Sequence, residues 1–511
     1  MINKSNICWF LLGPTGIGKT YVSLKIGQKF NNEIINTDAF SLYKEASIMT
    51  AKATKNEMSL VKHRMINILD LFDTKYHQKL FKKDALNEIN LVFENDKIPL
   101  IVGGTNYFVE SLLFDYENES NKEDNKNGIN MIDSFEFLEK NDYIKNLKIF
   151  DKYFLDEIKL IKEKNIDEDE CYTKLNEYMT ANFSEENGNK NILHKILSII
   201  DPKSANFYND NDTRRIINSI SYFISFNRKK SEALNNQIIK LNFEKNKLII
   251  LLPKKIDNLL KRITSRINQM IEEGLSEIIY IFHKFRLNGK EINFEVGVLQ
   301  SIGYKEFYEL YQELNCNIIN EIYNNYLKEI NSDEPDKIKQ YNKNILENII
   351  YKDNKLKNIF ENCKQKLISN TLNYAKYQIK FIKKRILAYL NGFKIIEIND
   401  FNKETYINEY IPQIEDYLKN DDYISVVNIN KNKIEEWKRY FCDICGCEMN
   451  GENDYNNHMK SNKHKKQKAK LRKKEKEKIN ENKKDKDINE VENKISEIDI
   501  NNDDKNIFDF K

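Results

Sequence analysis

A glycine-rich stretch near the start of the chain has the residue types and spacing that hold phosphate groups. Gly13, Gly18, Lys19 and Thr20 satisfy the pattern G-x-x-x-x-G-K-[ST]. The glycines let the backbone wrap closely, so that consecutive N–H groups point at one anion. The lysine adds a positive charge, and the threonine hydroxyl can bind a Mg2+ ion that bridges phosphate oxygens. The stretch predicts a diphosphate or triphosphate site and leaves open which of the two binds.

A second set of chemically distinctive residues lies near the other end of the chain. Cys442, Cys445, His458 and His464 are spaced C-x2-C-x12-H-x5-H, so that a hairpin can supply two thiolates and a helix two imidazoles to one zinc ion. The wide histidine spacing resembles that of zinc fingers that bind RNA, and Cys447 is a spare thiol that could compete as a ligand. Four protein ligands close the site, so we predict structural Zn2+.

The elements around the first loop are those of an open α/β sheet. Ile7–Leu12 reads as a buried parallel strand and Thr20–Phe30 as the helix after it. A second strand ends in Asp38, and a third, Ile98–Val102, leads into Gly103, Gly104 and Thr105. Strands and helices in this order predict a P-loop doubly wound parallel sheet, with ligands at the carboxyl ends of the strands. From position alone, Asp38 either lies beside the loop or caps a helix, and Thr105 either caps a helix or faces the phosphates.

Later segments carry weaker signals. Arg214 and Arg215 open a helix, where they either bind phosphate or lie on a solvated face. Another strand is predicted over Lys247–Leu252, and after it a helix that begins at Ile256 and is stopped by Gly274. The segment 373–390 mixes basic and aromatic residues, which is compatible either with RNA contact or with a half-buried helix face.

Length and composition bound the architecture. A chain of 511 residues predicts two or three domains, and a net charge of +3 gives no global field toward nucleic acid. Seven cysteines, four of them scattered singly, suit a reducing compartment better than a disulfide framework. No apolar run approaches membrane-spanning length, so we expect no membrane contact and a cytosolic protein, with the nucleus or an organelle as alternatives. The predicted order is P-loop core 1–115, polar helical insertion 116–190, second part of the core with long helices 191–400, linker 401–436, zinc finger 437–466, and basic disordered tail 467–511.

Taken together, the motifs resemble the tRNA dimethylallyltransferases (tRNA isopentenyltransferases) in their eukaryotic zinc-finger form. The resemblance runs collinearly over nearly residues 7 to 390, with the finger following. It rests on Gly13–Thr20, Asp38, Tyr43-Lys44, Thr50-Ala-Lys52, His63, Phe81, Asp84-Ala85, Val102–Tyr107, Asp201-Pro202, Asn211-Asp212, Arg214, Gln300–Glu306 and Tyr374–Gln378.

The family implies transfer of a dimethylallyl group from dimethylallyl diphosphate to the exocyclic amine of an adenosine beside the tRNA anticodon, by a protein that we expect to be a monomer. By resemblance, Asp38 is the base, assisted by Thr105, Lys19 and Arg214. The implied diphosphate contacts are Gly13, Thr15, Gly16, Gly18, Lys19 and Thr20, the last also holding Mg2+. The implied tRNA contacts are Lys52, Gln300, Tyr304, Lys305, Lys376 and Gln378.

The sequence departs from the family pattern at four places. Ala39 stands where Ser is usual, Ala53 where Pro is usual, Asn218 where Arg is common, and Phe381 where Trp is usual. Two other functions compete with prenyl transfer: an ATP-using small-molecule kinase and a noncatalytic RNA-binding protein. The kinase would need an Arg-rich lid and a Walker-type Asp that the sequence does not clearly offer. The noncatalytic reading is disfavoured by the intact Lys19, Thr20 and Asp38 set.

Overall fold

The computed structural model describes residues 7–118, 168–183, 190–235, 237–330, 335–427 and 438–473. The chain divides into two compact units, each built from two separate segments. The first comprises Met1–Glu117 with Ile239–Ile429, and the second Asn118–Ile238 with Asn430–Lys511. Much of the predicted insertion and most of the predicted tail lie outside the described residues, and the predicted domain borders stay predictions.

A six-stranded parallel sheet forms the centre of the first unit. Its strands in chain order are β1 (Ile7–Leu12), β2 (Asn32–Asn36), β3 (His63–Arg64), β4 (Ile98–Val102), β5 (Lys245–Pro253) and β6 (Lys394–Ile398). Their spatial order is β3-β2-β4-β1-β5-β6. The register pairs Trp9 with Leu100 on one side and with Lys247 on the other. The predicted P-loop α/β sheet is confirmed.

The centre of the sheet is buried because β1 and β4 are apolar along their whole length and β5 is apolar from Leu248 onward. Phe10, Leu11 and Leu12 in β1, and Leu248 to Leu251 in β5, are almost completely shielded from solvent. A parallel sheet covered on both faces by helices requires such continuous apolar runs. Because all strands point the same way, β1, β2 and β4 end at one edge, where Gly13, Asp38 and Gly103 follow them.

Helices cover this sheet and extend the unit. They include Lys19–Phe30, Lys55–Leu60, Gln78–Glu94, Asn106–Leu113, Ile256–Leu287, Tyr304–Glu313, Cys316–Ile330, Pro335–Ile345, Asn354–Phe381 and Ile411–Lys419. Shorter helical turns lie at Phe40–Leu42, Gly297–Gln300, Leu346–Ile350, Ile382–Ile386, Leu387–Tyr389, Lys403–Thr405 and Tyr406–Tyr410. Leu390–Asn391 pairs antiparallel with Ser425–Val426, and Phe114–Asn118 forms a two-stranded sheet with Gln237–Leu241.

The helix that begins at Ile256 does not stop at Gly274, so that prediction is wrong. It continues to Leu287, and the glycine lies within it. A Cβ at this position would lie 2.7 Å from Cγ2 of Ile48, so the missing side chain makes room for a neighbouring segment. A helix interior tolerates glycine at a cost of about 1 kcal/mol, and here the close packing of Ile48 accounts for it.

The second unit contains a small helical core and a finger. The helices Glu168–Phe183, Lys190–Ile200, Pro202–Phe207, Thr213–Phe226 and Lys230–Asn235 enclose a buried cluster that includes Leu193, Ile196, Leu197, Ile216 and Ile220. The finger is a hairpin of Arg439–Cys442 with Cys447–Asn450, followed by the helix Glu452–Lys460. Residues 462–473 are helical. The first seven residues of the predicted disordered tail are therefore helical, which fits their richness in Lys, Arg and Ala.

Arg439 joins the finger to the helical core of the same unit. Its Nη2 donates to the Asp210 carboxylate at 2.8 Å and to the carbonyl oxygens of Ala205 and Tyr208, both at 3.1 Å. Its Nη1 donates to the Glu448 carboxylate of the finger hairpin at 2.8 Å. A guanidinium has five donors in a fixed plane, so one side chain can hold two carboxylates and two carbonyls from different segments.

Candidate active site and zinc centre

The loop after β1 has the closed shape that its glycines allow. A Cβ on Gly13 would lie 2.6 Å from the carbonyl oxygen of Leu251, and one on Gly18, where φ is +91°, would lie 2.6 Å from Tyr406 Oη. Any side chain at either position would displace the loop from β5 or from Tyr406. The hydroxyl of Tyr406 also donates to the carbonyl oxygen of Ile17 at 2.6 Å. The loop is therefore held from both sides.

Lys19 lies inside this loop. Its ammonium donates to the carbonyl oxygens of Gly13 and Pro14 at 2.9 and 3.0 Å. Burial lowers the pKa of Lys19 from 10.5 to about 8, Asp38 partly offsets this by favouring the charged form, and Arg266 lowers the pKa further. An anion in the loop would stabilise the ammonium and raise its pKa again. Thr20, the next residue, is exposed, and its binding of Mg2+ stays a prediction.

Asp38 lies just beyond β2, near the lysine. Its Oδ1 accepts a hydrogen bond from the backbone N–H of Phe40 at 3.1 Å. Burial raises the pKa of this carboxyl, while the Phe40 N–H, Lys19, the Ser41 N–H and Arg266 act in the opposite direction. The sequence left open whether Asp38 lies beside the loop or caps a helix. In the structure its carboxylate accepts the Phe40 N–H at the start of the short turn Phe40–Leu42, and it also interacts electrostatically with Lys19 of the loop. A half-buried carboxylate with a raised pKa in a phosphate-type site is a candidate proton acceptor.

Thr105 lies at the edge where β4 ends. Its Oγ1 accepts a hydrogen bond from the backbone N–H of Ala39 at 3.0 Å, and its own N–H donates to the carbonyl oxygen of Thr37 at 3.2 Å. The side chain makes no capping bond to the helix Asn106–Leu113. Its hydroxyl therefore fixes the backbone next to Asp38. The contact at Ala39 uses only the backbone, so the departure from Ser does not alter it.

Arg266, on the long helix after β5, was not among the predicted site residues. Its Nη1 donates to Thr15 Oγ1 at 3.3 Å. Burial, together with the neighbouring charge of Arg262, lowers the pKa of Arg266, and Asp38 raises it. A signal was present in the chain, because Arg262 and Arg266 are four residues apart on a helix and share one face. A guanidinium at this position adds a bidentate donor to the phosphate loop.

Gln378 was predicted to contact tRNA, and the structure places it in the interior, 1% exposed. Its Oε1 accepts from the backbone N–H of Thr15 at 2.8 Å, and its Nε2 donates to the carbonyl oxygen of Gly104 at 2.7 Å. The hydroxyl of Tyr374 also donates to Gly104 O, at 3.2 Å. Gln378 therefore joins the phosphate loop to the turn that carries Thr105, and its contact with tRNA stays a prediction.

The other predicted tRNA contacts divide into exposed and buried side chains. Gln300, Lys305 and Lys376 are exposed, and the Gln300 amide donates to the carbonyl oxygen of Glu295. Lys52 is 8% exposed, its ammonium donates to Asn67 Oδ1 at 2.8 Å and to backbone carbonyls, and burial lowers its pKa to about 8. Tyr304 is fully buried, and burial raises the pKa of its hydroxyl. Direct contact of Lys52 and Tyr304 with RNA stays a prediction. In this structure both side chains are buried among other residues of the protein.

Arg214 belongs to the second unit. It is exposed in the first turn of the helix Thr213–Phe226, whose N-terminus is capped by the Asp212 carboxylate. The preceding Asp201 is buried and accepts hydrogen bonds from the N–H and hydroxyl groups of both Ser204 and Ser231. The Asp201-Pro202 pair is thus a structural feature that orients this helical region. The role of Arg214 at the diphosphate stays a prediction.

The four predicted zinc ligands come together in the finger. One ligand atom from each of Cys442, Cys445, His458 and His464 lies within 4.8 Å of the other three. Nδ1 of His464 is 3.4 Å from Cys442 Sγ, 3.5 Å from Cys445 Sγ and 3.2 Å from His458 Nε2. These separations suit a tetrahedral ion with bonds of about 2.3 Å to sulfur and 2.0 Å to nitrogen. Cys447 Sγ lies 4.0 Å from the ring nitrogens of His458 and is not one of the four. The finger and its ligand set support structural Zn2+.

None of the helices in the described part of the chain is both long and apolar enough to cross a membrane.

Comparison with known proteins gives two family matches. A model described as IPP transferase matches residues 41–385, and a model described as zinc-finger double-stranded RNA-binding matches residues 439–465. The first match spans well over half of the chain, and the second includes every zinc ligand.

Individual relatives are similar over most of their length. The tRNA dimethylallyltransferase of Saccharomyces cerevisiae is 24% identical, over 91% of this chain and 92% of its own. The tRNA dimethylallyltransferase of Homo sapiens is 26% identical, over 89% of this chain and 85% of its own. A solved structure of a eukaryotic dimethylallyltransferase acting on tRNA matches with a TM-score of 0.61 at 22% identity, covering 93% of this chain and 100% of that one. The fold is therefore shared with that protein.

Proposed function

The chain belongs to the IPP transferase family, and we propose that it transfers a dimethylallyl group from dimethylallyl diphosphate to tRNA. The acceptor is the exocyclic amine of the adenosine on the 3′ side of the anticodon, and diphosphate is released. The observation that carries this proposal is a half-buried carboxylate, Asp38, which interacts electrostatically with the lysine of a phosphate loop. A base and an anion site at one edge of the sheet are what the reaction requires.

The phosphate loop would hold the leaving diphosphate. As the allylic C–O bond breaks, negative charge grows on the diphosphate oxygens, and Lys19 and Arg266 lie where they can stabilise it. The exposed hydroxyl of Thr20 would hold Mg2+, which supplies further positive charge to the phosphates when bound. We include Arg214 in this set on the resemblance alone.

Asp38 would accept the proton from the attacking amine. The lone pair of that amine is delocalised into the adenine ring, so the amine is a weak nucleophile and gains from a base as the C–N bond forms. Burial raises the pKa of Asp38, which makes the carboxylate a better proton acceptor than an exposed one. The hydrogen bond from the Phe40 N–H fixes Oδ1. Thr105 holds the adjoining backbone through Ala39 and keeps a hydroxyl proton to donate to substrate oxygen.

The adenosine must leave the anticodon stack to reach Asp38, since chemistry on a base requires it to be extruded. We assign the grip on the rest of the tRNA to the second unit, whose finger matches an RNA-binding family model and leads into a helix rich in lysine. A single chain carries the predicted sites for both substrates, so we propose that it acts as a monomer.

Asp38→Asn tests the proposal, because asparagine keeps the shape and the acceptor for the Phe40 N–H while removing the basic oxygen. We expect transfer of radiolabelled dimethylallyl groups to tRNA to fall about 10²–10⁴-fold, with tRNA affinity changed only a few-fold. The matched control is Asp70→Asn, an exposed carboxylate paired with Lys44, which should retain full activity. Equal loss of transfer and of tRNA binding would refute the base role. Consumption of ATP with every tRNA adenosine left unprenylated would refute the function.

A further inference from the structure

An exposed pair of tyrosines lies on the face of the first unit that also carries Tyr374. Tyr107 and Tyr377 are 43% and 45% exposed, and their hydroxyl oxygens are 2.8 Å apart in a hydrogen bond. Phe381, one turn further along the helix, packs edge-on against Tyr107 with ring centroids 4.8 Å apart. The hydrogen bond and the buried phenylalanine fix both rings. Two rigid, exposed aromatic side chains side by side are a surface that a flat ligand can stack on.

Arg385 extends this aromatic surface. Its guanidinium lies 5.3 Å from the centre of the Phe381 ring and 6.0 Å from that of Tyr107. Its Nη2 forms an ion pair at 3.0 Å with the buried carboxylate of Glu110, while 54% of the arginine side chain stays exposed. The ion pair orients the guanidinium, so its plane is held beside the rings. Planar guanidinium groups and aromatic rings both stack on nucleic-acid bases.

The surface begins next to the proposed base. Tyr374 stacks with Tyr377 at a centroid distance of 6.5 Å and donates its hydroxyl proton to the carbonyl oxygen of Gly104. A Cβ on Gly104 would lie 2.9 Å from Oδ2 of Asp38. Burial raises the pKa of Tyr374, and the negative charge of Asp38 raises it further. The row Tyr374, Tyr377, Arg385 therefore leads from the reacting carboxylate outward to solvent.

We propose that Tyr107, Tyr377 and Arg385 form a stacking platform for the base of a nucleotide that neighbours the modified adenosine. This inference rests on the proposed function and deepens it. When the adenosine is extruded, its neighbours lose a stacking partner, and an exposed aromatic ring of this surface replaces it. A nucleic-acid base fits this surface better than an apolar protein surface does. The rings carry hydroxyl groups and lie beside a guanidinium, and every base offers a π-face that can stack on them.

The test combines a change in the protein with a change in the RNA, using the full-length protein. Tyr377→Ala removes one ring of the platform, and Tyr377→Phe is the matched control that keeps the ring and loses only the hydroxyl. With intact tRNA, we expect Tyr377→Ala to raise KM and Kd for tRNA about tenfold, the loss of one base–aromatic stack, and to leave kcat within about twofold. Tyr377→Phe should stay within about twofold of the wild type for all three quantities.

The same variants are then measured on two tRNAs, each with one nucleotide next to the target adenosine replaced by an abasic residue. On one of the two, wild type and Tyr377→Ala should bind equally, because the base that stacks is already missing. Tyr377→Ala would overturn the platform if it bound intact tRNA like the wild type, or if its penalty persisted in full on both abasic tRNAs. The latter outcome would assign the ring to folding or to another partner.

Direct binding by fluorescence anisotropy separates this inference from the proposed function. If the wild type bound tRNA with the expected Tyr377 dependence but transferred no dimethylallyl group, the proposed function would fail and the platform would stand. If transfer proceeded and Tyr377→Ala had no effect on tRNA binding, only the platform would fail.

Discussion

Replacing Gln378 by alanine would disconnect the phosphate loop from the turn that carries Thr105. The amide of Gln378 is the buried bridge between the Thr15 N–H and the Gly104 carbonyl, with hydrogen bonds of 2.8 and 2.7 Å. Without it, the part-buried Thr15 N–H loses this partner. Gly104 O retains the hydroxyl of Tyr374 at 3.2 Å and is less affected.

The expected magnitude follows from these partners. An unsatisfied buried N–H costs about 1–3 kcal/mol, and the cavity left by a side chain of this size adds about 1–2 kcal/mol. Because the Thr15 N–H is only part-buried, its cost lies in the lower half of that range, and we expect the free energy of unfolding of the first unit to fall by about 2–4 kcal/mol. The phosphate loop would also lose a fixed position for Thr15, which receives the Arg266 contact. KM for dimethylallyl diphosphate should consequently rise more than KM for tRNA.

Urea unfolding and steady-state kinetics with each substrate varied in turn measure both effects. Lys376→Ala is the matched control, since Lys376 is exposed two residues earlier on the same helix and its removal should leave stability within about 0.5 kcal/mol of the wild type. The reasoning would be refuted if Gln378→Ala cost less than about 1 kcal/mol and left KM for dimethylallyl diphosphate unchanged. A rise confined to KM for tRNA would instead favour a direct RNA contact.

Two further predictions concern the loop lysine and the zinc site. Burial lowers the pKa of Lys19 to about 8, so its positive charge is present below that pH and is lost above it. We therefore expect kcat/KM for dimethylallyl diphosphate to decline as the pH rises through about 8. A profile that stays flat to pH ~10, near the ordinary lysine pKa, would contradict the burial argument. Cys442→Ser should abolish stoichiometric zinc binding, measured by metal analysis, and should weaken tRNA binding without changing kcat at saturating tRNA. The control is Cys447→Ser, because Cys447 is outside the ligand set. Unchanged tRNA affinity of the Cys442 variant would rule out a role of the finger in binding tRNA.

Local patterns predicted those parts of the site that lie within one stretch of chain. The phosphate loop, the strand before it and the four zinc ligands each depend on residues close in sequence, so spacing was sufficient. The positions of Asp38 and Thr105 at strand ends made a place beside the loop possible, because parallel strands bring their carboxyl ends to one edge, and only the family resemblance favoured that place over helix capping.

The remainder depends on contacts between distant residues, which spacing does not encode. Thr15 and Gln378 are separated by 363 positions, so nothing local reveals that the glutamine faces the loop. Lys52 and Tyr304 carry polar groups typical of a surface, but tertiary packing buries both. Gly274 has the appearance of a helix stop, and only the approach of Ile48 explains its position inside a continuous helix.

The second unit consists of two stretches of chain that are about two hundred residues apart in the sequence. Arg439 connects the two stretches. A shortened protein that ends before the finger would strip Asp210 and the carbonyls of Ala205 and Tyr208 of their shared cation. A finger produced by itself would carry that guanidinium without most of its acceptors. Neither deletion isolates the contribution of one piece, because each also removes the partners of the piece that remains.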